Sequence, residues 1–287
     1  MPSRRQLIEA SLAMAFSGAW TVAQADDLPW TLPPLKTVPV NGQDIAYFEQ
    51  GSGPALVLVH GMSGSAALEW GRVMGPLSQR FHVVAPYQIG FGPSAQPDLP
   101  YDAKTFVDYL GGLLDALKLE RPTIVGESFG GWVVAQYALA QGGRTRWGAP
   151  LPRLSKLVIV DGAVHVRARP SSSDNGASKS INDPAVAAEA GKVFASQPRA
   201  DNSRVTQQVM GGSIVREAVQ PDALATLKVP TLVMWGEQDQ LIPLADGHEI
   251  ASQIPHARLE VIANCGHIPS VEQPHAFLKS LTTFAGG

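Results

Sequence analysis

Three polar side chains of this 287-residue chain each follow an apolar run, and together they are the types nucleophilic catalysis needs. Ser128 sits in Gly126-Glu127-Ser128-Phe129-Gly130, Asp239 follows Thr231-Leu232-Val233-Met234-Trp235, and His267 lies in Asn264-Cys265-Gly266-His267. A serine hydroxyl attacks a carbonyl poorly until a base takes its proton, and an imidazole serves as that base best when a carboxylate orients it. Each of the three is placed in the loop after a strand, where the chemistry of parallel sheets collects.

The elements that must position them read from the apolar pattern. Thr123-Ile124-Val125 runs through Ser128 straight into Trp132-Val133-Val134-Ala135, a buried strand turning sharply into a helix. Such a turn strains its central residue and crowds its neighbours, so Gly126 and Gly130 are what the geometry needs. The hydroxyl is then held at a helix N-terminus, where free N–H groups favour developing negative charge.

Around this junction the chain alternates strands and helices. Asn41-Gly42 is a hairpin turn signal between Val38–Val40 and Ile45–Glu49. Ala55–Val59 is a continuous apolar run suited to a strand covered on both faces. Phe81–Pro86 reads as the next strand, Ala103–Leu117 as a helix, and Leu157–Val160, ending at Asp161, as a further strand. The rhythm breaks between Gly162 and Lys228: a serine-rich loop over Pro170–Ser180 is followed by two helical patterns, Pro184–Ala195 and Arg204–Val219. It resumes with strands over 231–235 and 259–262 and helices over 245–254 and 272–284. The expectation is an α/β fold, with a mainly parallel, doubly wound sheet and an inserted helical cap. Its parts are a core over residues 26–162 and 228–287 and an insertion over 163–227.

The Ser128 turn, Asp239 and His267, in that chain order, resemble the α/β-hydrolase fold family, specifically its serine hydrolases with a small cap. The resemblance implies Ser128 as nucleophile, His267 as general base and later acid, and Asp239 as orienting carboxylate. Asp161, also at a strand end, is the rival acid. The oxyanion donors implied are the backbone N–H groups of Met62, after His60-Gly61, and Phe129, with His60 a structural residue behind that loop. Tyr87 stands where the family usually has aspartate. Relatives with an aspartate nucleophile, the epoxide hydrolases and haloalkane dehalogenases, are set aside because residue 128 is serine. A carboxylic ester cleaved through an acyl-enzyme is the leading expectation. The alternatives are hydrolysis of a carbon–carbon bond in a diketone-like compound, cofactor-free perhydrolysis, and a non-catalytic binding protein of the same fold. The substrate is expected to be a small molecule with an apolar part, in a pocket lined by Met62, Trp70, Phe129, Trp132, Met210, Ile242 and Ile268.

Composition narrows the field further. A formal net charge of −3 gives no basic footprint for nucleic acid. No dinucleotide fingerprint, metal-ligand spacing or H-E-x-x-H occurs, so no cofactor and no metal are expected. Cys265 is the only cysteine, which excludes an internal disulfide and reads as a packed small residue. Arg4-Arg5, the apolar stretch Leu7–Val22 and Ala23-Gln24-Ala25 have the layout of a signal peptide over residues 1–25, with some likeness to a twin-arginine signal. A periplasmic or secreted protein without a stable membrane span is expected.

Overall fold

A computed structural model describes residues 28–165, 180–197 and 200–286. The expected signal peptide and most of the serine-rich loop lie outside the described residues.

Eight strands form one sheet in the order β1-β2-β4-β3-β5-β6-β7-β8. They are β1 (Lys36–Val40), β2 (Gln43–Gln50), β3 (Ala55–Val59), β4 (His82–Pro86), β5 (Thr123–Glu127), β6 (Lys156–Val160), β7 (Thr231–Gly236) and β8 (Arg258–Ile262). β1 pairs antiparallel with β2, and β2 antiparallel with β4; every pairing from β4 to β8 is parallel. The hairpin turns at Asn41 (φ 48°) and Gly42 (φ 74°), both in the left-handed region that an Asn-Gly turn supplies.

The central strands are apolar throughout because both of their faces are covered. Val57 and Val59 point into one core layer, Leu56 and Leu58 into the other. The helices are α1 (Ala66–Trp70), α2 (Met74–Ser78), α3 (Ala103–Ala116), α4 (Phe129–Ala140), α5 (Pro184–Ser196), α6 (Ser203–Gln208), α7 (Ile214–Arg216), α8 (Pro221–Leu224), α9 (Leu244–Gln253), α10 (Pro269–Glu272) and α11 (Pro274–Gly286). The first layer takes α3, α4 and α9 through Leu110, Trp132 and Ile250; the second takes α1, α2 and α11 through Trp70, Leu77 and Phe277. No helix among the described residues is long and apolar enough to cross a membrane.

One expectation is corrected by the structure. The helix read over Arg204–Val219 is broken: α6 passes through a wide turn at Val209–Ser213, in which Gly212 has φ 142°, before α7 resumes. Apolar spacing survived the break, which is why it was invisible to periodicity. α1 and α2 carry no helical period of their own, because each is only five residues long and glycines intervene.

The segment between β6 and β7 is laced to loops at the C-terminal ends of the strands. Asn202 Oδ1 accepts from Gly92 N–H (3.1 Å), Gln208 Oε1 from Tyr101 N–H (2.9 Å), and Ser180 O from His267 N–H (3.1 Å). Tyr87 donates from its hydroxyl to Gln197 Oε1 (3.2 Å).

Candidate active site

Ser128 joins β5 to α4 with φ 54° and ψ −117°, a conformation that a side-chain-bearing residue holds only when its surroundings force it. The forcing is visible in the glycines. A Cβ at Gly126 would lie 2.3 Å from the Gly130 carbonyl oxygen, and one at Gly130 would lie 2.2 Å from that of Val59. Ser128 N–H donates to Val160 O at 2.9 Å, fixing the turn to the neighbouring strand. As the first residue of α4, Phe129 carries an N–H with no acceptor inside the helix.

The loop after β3 presses on the same turn, since a Cβ at Gly61 would approach Ser128 Cβ to 2.9 Å. His60 anchors this loop from behind: Nδ1–H donates to Gly61 O (2.7 Å), and Nε2 accepts from Gln88 N–H (3.0 Å). Burial pushes His60 down to about 4, so it is neutral, as this pair of bonds requires.

Asp239 and His267 arrive from the loops after β7 and β8. His267 Nδ1–H donates to Asp239 Oδ2 at 2.7 Å, which leaves Nε2 as acceptor for the Ser128 hydroxyl at 2.8 Å. The other oxygen of Asp239 accepts from Leu241 N–H (2.7 Å) and Ile242 N–H (3.0 Å), so the carboxylate cannot rotate away. Burial works against its charge, but the hydrogen bond and charge of His267 overcome this and hold it below the ordinary carboxylate range. Asp161, the rival acid, instead accepts from Gly236 N–H at 2.9 Å. Burial, reinforced by the charge of Asp239, raises it well above that range, so it is a neutral acid beside the pair. One potential ligand atom each from Asp161, Asp239 and His267 lies within 4.8 Å of the others.

The residues expected to line a pocket are divided. Phe129 and Trp132 stack beneath the turn with ring centroids 5.5 Å apart, Met62 and Ile242 pack at the edge of the same core layer, and Ile268 adjoins His267. Trp70 does not belong with them: it faces the second layer, 6.2 Å from the Phe277 ring, because the turn of α1 points it away from the loop its neighbours support. Met210 is 61% exposed, turned outward where the wide helical turn points Val209 inward. Trp132 Nε1–H donates to Glu217 O at 3.0 Å, tying α4 to the inserted segment.

Two acidic side chains beside the site belong to none of the sequence motifs. Glu69 and Glu127 are both buried, 2% and 1% exposed. Glu69 Oε2 accepts from Gly61 N–H at 2.7 Å; Glu127 Oε2 accepts from the Ser270 hydroxyl at 2.9 Å. The signal available was an acid inside otherwise apolar runs, Ala66-Ala67-Leu68-Glu69-Trp70 and Thr123-Ile124-Val125-Gly126-Glu127. Cys265 is buried, and burial pushes its thiol far up, leaving it inert as packing alone would have it.

Comparison with known proteins adds lineage to this geometry. The model of the Alpha/beta hydrolase family matches residues 56–280. A 2-hydroxymuconate semialdehyde hydrolase of Pseudomonas sp. (strain CF600) is 29% identical over 82% of this chain and 88% of its own length. A 2-hydroxy-6-oxo-2,4-heptadienoate hydrolase of Pseudomonas putida is 26% identical over 87% and 95%. Among solved structures, a 2-hydroxy-6-oxo-6-phenylhexa-2,4-dienoate hydrolase from Rhodococcus sp. strain RHA1 superposes with a TM-score of 0.72 at 25% identity, covering 90% of this chain and all of that one.

Proposed function

This chain belongs to the alpha/beta hydrolase family, and from that premise we propose that it is a serine hydrolase that cleaves a carbon–carbon bond next to the ketone of a conjugated, diketone-like acid. The observation that carries the reading is the relay of Ser128, His267 and Asp239, closed at 2.8 and 2.7 Å, in a chain whose relatives include a 2-hydroxy-6-oxo-2,4-heptadienoate hydrolase and a 2-hydroxymuconate semialdehyde hydrolase. Ser128 Oγ attacks the ketone carbon while its proton passes to His267 Nε2. The oxyanion is received by the N–H groups of Met62 and Phe129, each such donor being worth about 3 kcal/mol. The carbon–carbon bond then breaks, its electrons delocalise into the conjugated acid, and that fragment takes the proton from His267. Water deprotonated by His267 hydrolyses the acyl-enzyme to a carboxylic acid and restores the serine. Asp239 orients the imidazole and stabilises its cationic form throughout. The described residues between β6 and β7 serve as a cap over the site.

Carboxylic ester hydrolysis is the second reading, because the same relay of Ser128, His267 and Asp239 attacks an ester carbonyl by the same acyl-enzyme route. The test pairs the two substrate classes. A fluorophosphonate should label wild type and spare Ser128→Ala, and 2-hydroxy-6-oxo-6-phenylhexa-2,4-dienoate should turn over with a higher kcat/KM than p-nitrophenyl esters. The reverse ranking assigns the ester reading, and labelling of both proteins removes Ser128 from the reaction. The signal-peptide layout of residues 1–25 supports export to the periplasm or beyond, checked by the N-terminal residue of the secreted protein.

A further inference from the structure

Glu69 is an expensive residue for a short helix packed on all sides. Burial raises its carboxyl to about 7, whereas an apolar side chain there would be at home among Ala66, Ala67, Leu68 and Trp70. Its two oxygens reach the two residues that flank Met62. Oε2 accepts from Gly61 N–H at 2.7 Å, and Oε1 is hydrogen-bonded to the Ser63 hydroxyl. Ser63 Oγ in turn accepts from Ser65 N–H at 3.2 Å, and Ser65 caps α1 by accepting from Leu68 N–H at 3.1 Å. The helix that carries Glu69 is thus locked to the loop that Glu69 holds. That loop is the one whose Gly61 abuts Ser128.

We propose that Glu69 is a positioning residue that clamps both sides of Met62 and so holds the Met62 N–H in register with Ser128 for receiving the oxyanion. The inference rests on Ser128 being the nucleophile, and it concerns a group that touches neither substrate nor serine. A donor displaced by about 1 Å loses much of its effect, on the order of a hundredfold in rate. The clamp needs an acceptor for Gly61 N–H and a partner for the Ser63 hydroxyl, not a charge. A glutamine supplies both, because its carbonyl accepts from Gly61 and its amide N–H donates to Ser63 Oγ once that hydroxyl rotates. A leucine supplies neither.

The experiment compares wild type, Glu69→Gln, Glu69→Leu and Ser63→Ala by kcat, KM, fluorophosphonate labelling rate and backbone amide exchange over residues 60–65. Expected are a fall in kcat and labelling rate of about tenfold to a hundredfold for Glu69→Leu with KM little changed, near-recovery in Glu69→Gln, and an intermediate fall in Ser63→Ala. Amide exchange at Gly61 and Met62 should speed up in Glu69→Leu and not in Glu69→Gln. Wild-type kcat and exchange in folded Glu69→Leu overturn the clamp; should that variant not fold, the same result in Ser63→Ala does so. A wild-type protein that no fluorophosphonate labels would strike the nucleophile assignment instead, while the exchange data would still report on the clamp.

Discussion

The carboxyl of Glu127 accepts a hydrogen bond from the Ser270 hydroxyl at 2.9 Å, which ties the residue before Ser128 to α10, the short helix that follows His267. Its other oxygen, buried, has no hydrogen-bond partner among the described residues. Burial and the charge of Glu69 raise this carboxyl well above its ordinary value. The folded chain therefore holds a proton that the unfolded chain has released, and stability falls as pH rises from about 4 toward the folded value. Glu127→Gln keeps the shape and has no proton to lose. Its melting temperature should drop less between about pH 5 and about pH 8 than that of wild type. An equal drop would mean that Glu127 does not ionise over this window.

Two carboxyls compete for the role of orienting acid, and the geometry distinguishes them. Asp239→Asn should lower kcat by about 10⁴, because the amide can no longer hold the imidazole in the required tautomer. Asp161→Asn keeps an oxygen to accept from Gly236 N–H and should lower kcat by less than about tenfold. Steady-state kinetics of the two variants decide the matter, and a larger loss at Asp161 would reverse the assignment.

The strained turn depends on absent side chains. In Gly130→Ala the new methyl would meet the Val59 carbonyl oxygen at 2.2 Å and the His60 carbonyl oxygen at 2.8 Å, and backbone cannot swing aside as a flexible side chain would. A loss of about 2 kcal/mol or more in denaturant unfolding is expected. Gly191→Ala, where a Cβ meets nothing within 4 Å, is the control and should not lose stability.

Trp70 and Trp132 share a residue type and not a surrounding. Trp70→Phe, in the core layer away from the site, should change melting temperature without changing KM. Trp132→Phe removes the bond to Glu217 O, costing about 1 kcal/mol, and should raise KM by loosening the segment between β6 and β7 that this bond holds to α4. Melting curves alongside KM for both variants check this; a KM effect at Trp70 would return it to the pocket.

What the chain declared by itself was local. Period and composition marked six of the eight strands within a residue or so, the first hairpin and the sharp turn at Ser128, because a doubly covered strand must be apolar throughout and an Asn-Gly pair or a crowded elbow admits few residue types. Chain order alone also made Ser128, Asp239 and His267 worth seeking as a set. Folding decided what depends on facing. It brought Asp239 rather than Asp161 to His267 Nδ1, turned Trp70 into the far core layer and Met210 to solvent, and broke one helical pattern at Gly212. It also set Glu127 against Ser270 of α10, 143 residues away, while Glu69 folds back on the loop that precedes its own helix. A one-dimensional pattern records whether a side chain is apolar or charged; which buried neighbour it meets is set by how strands far apart in the chain pair side by side.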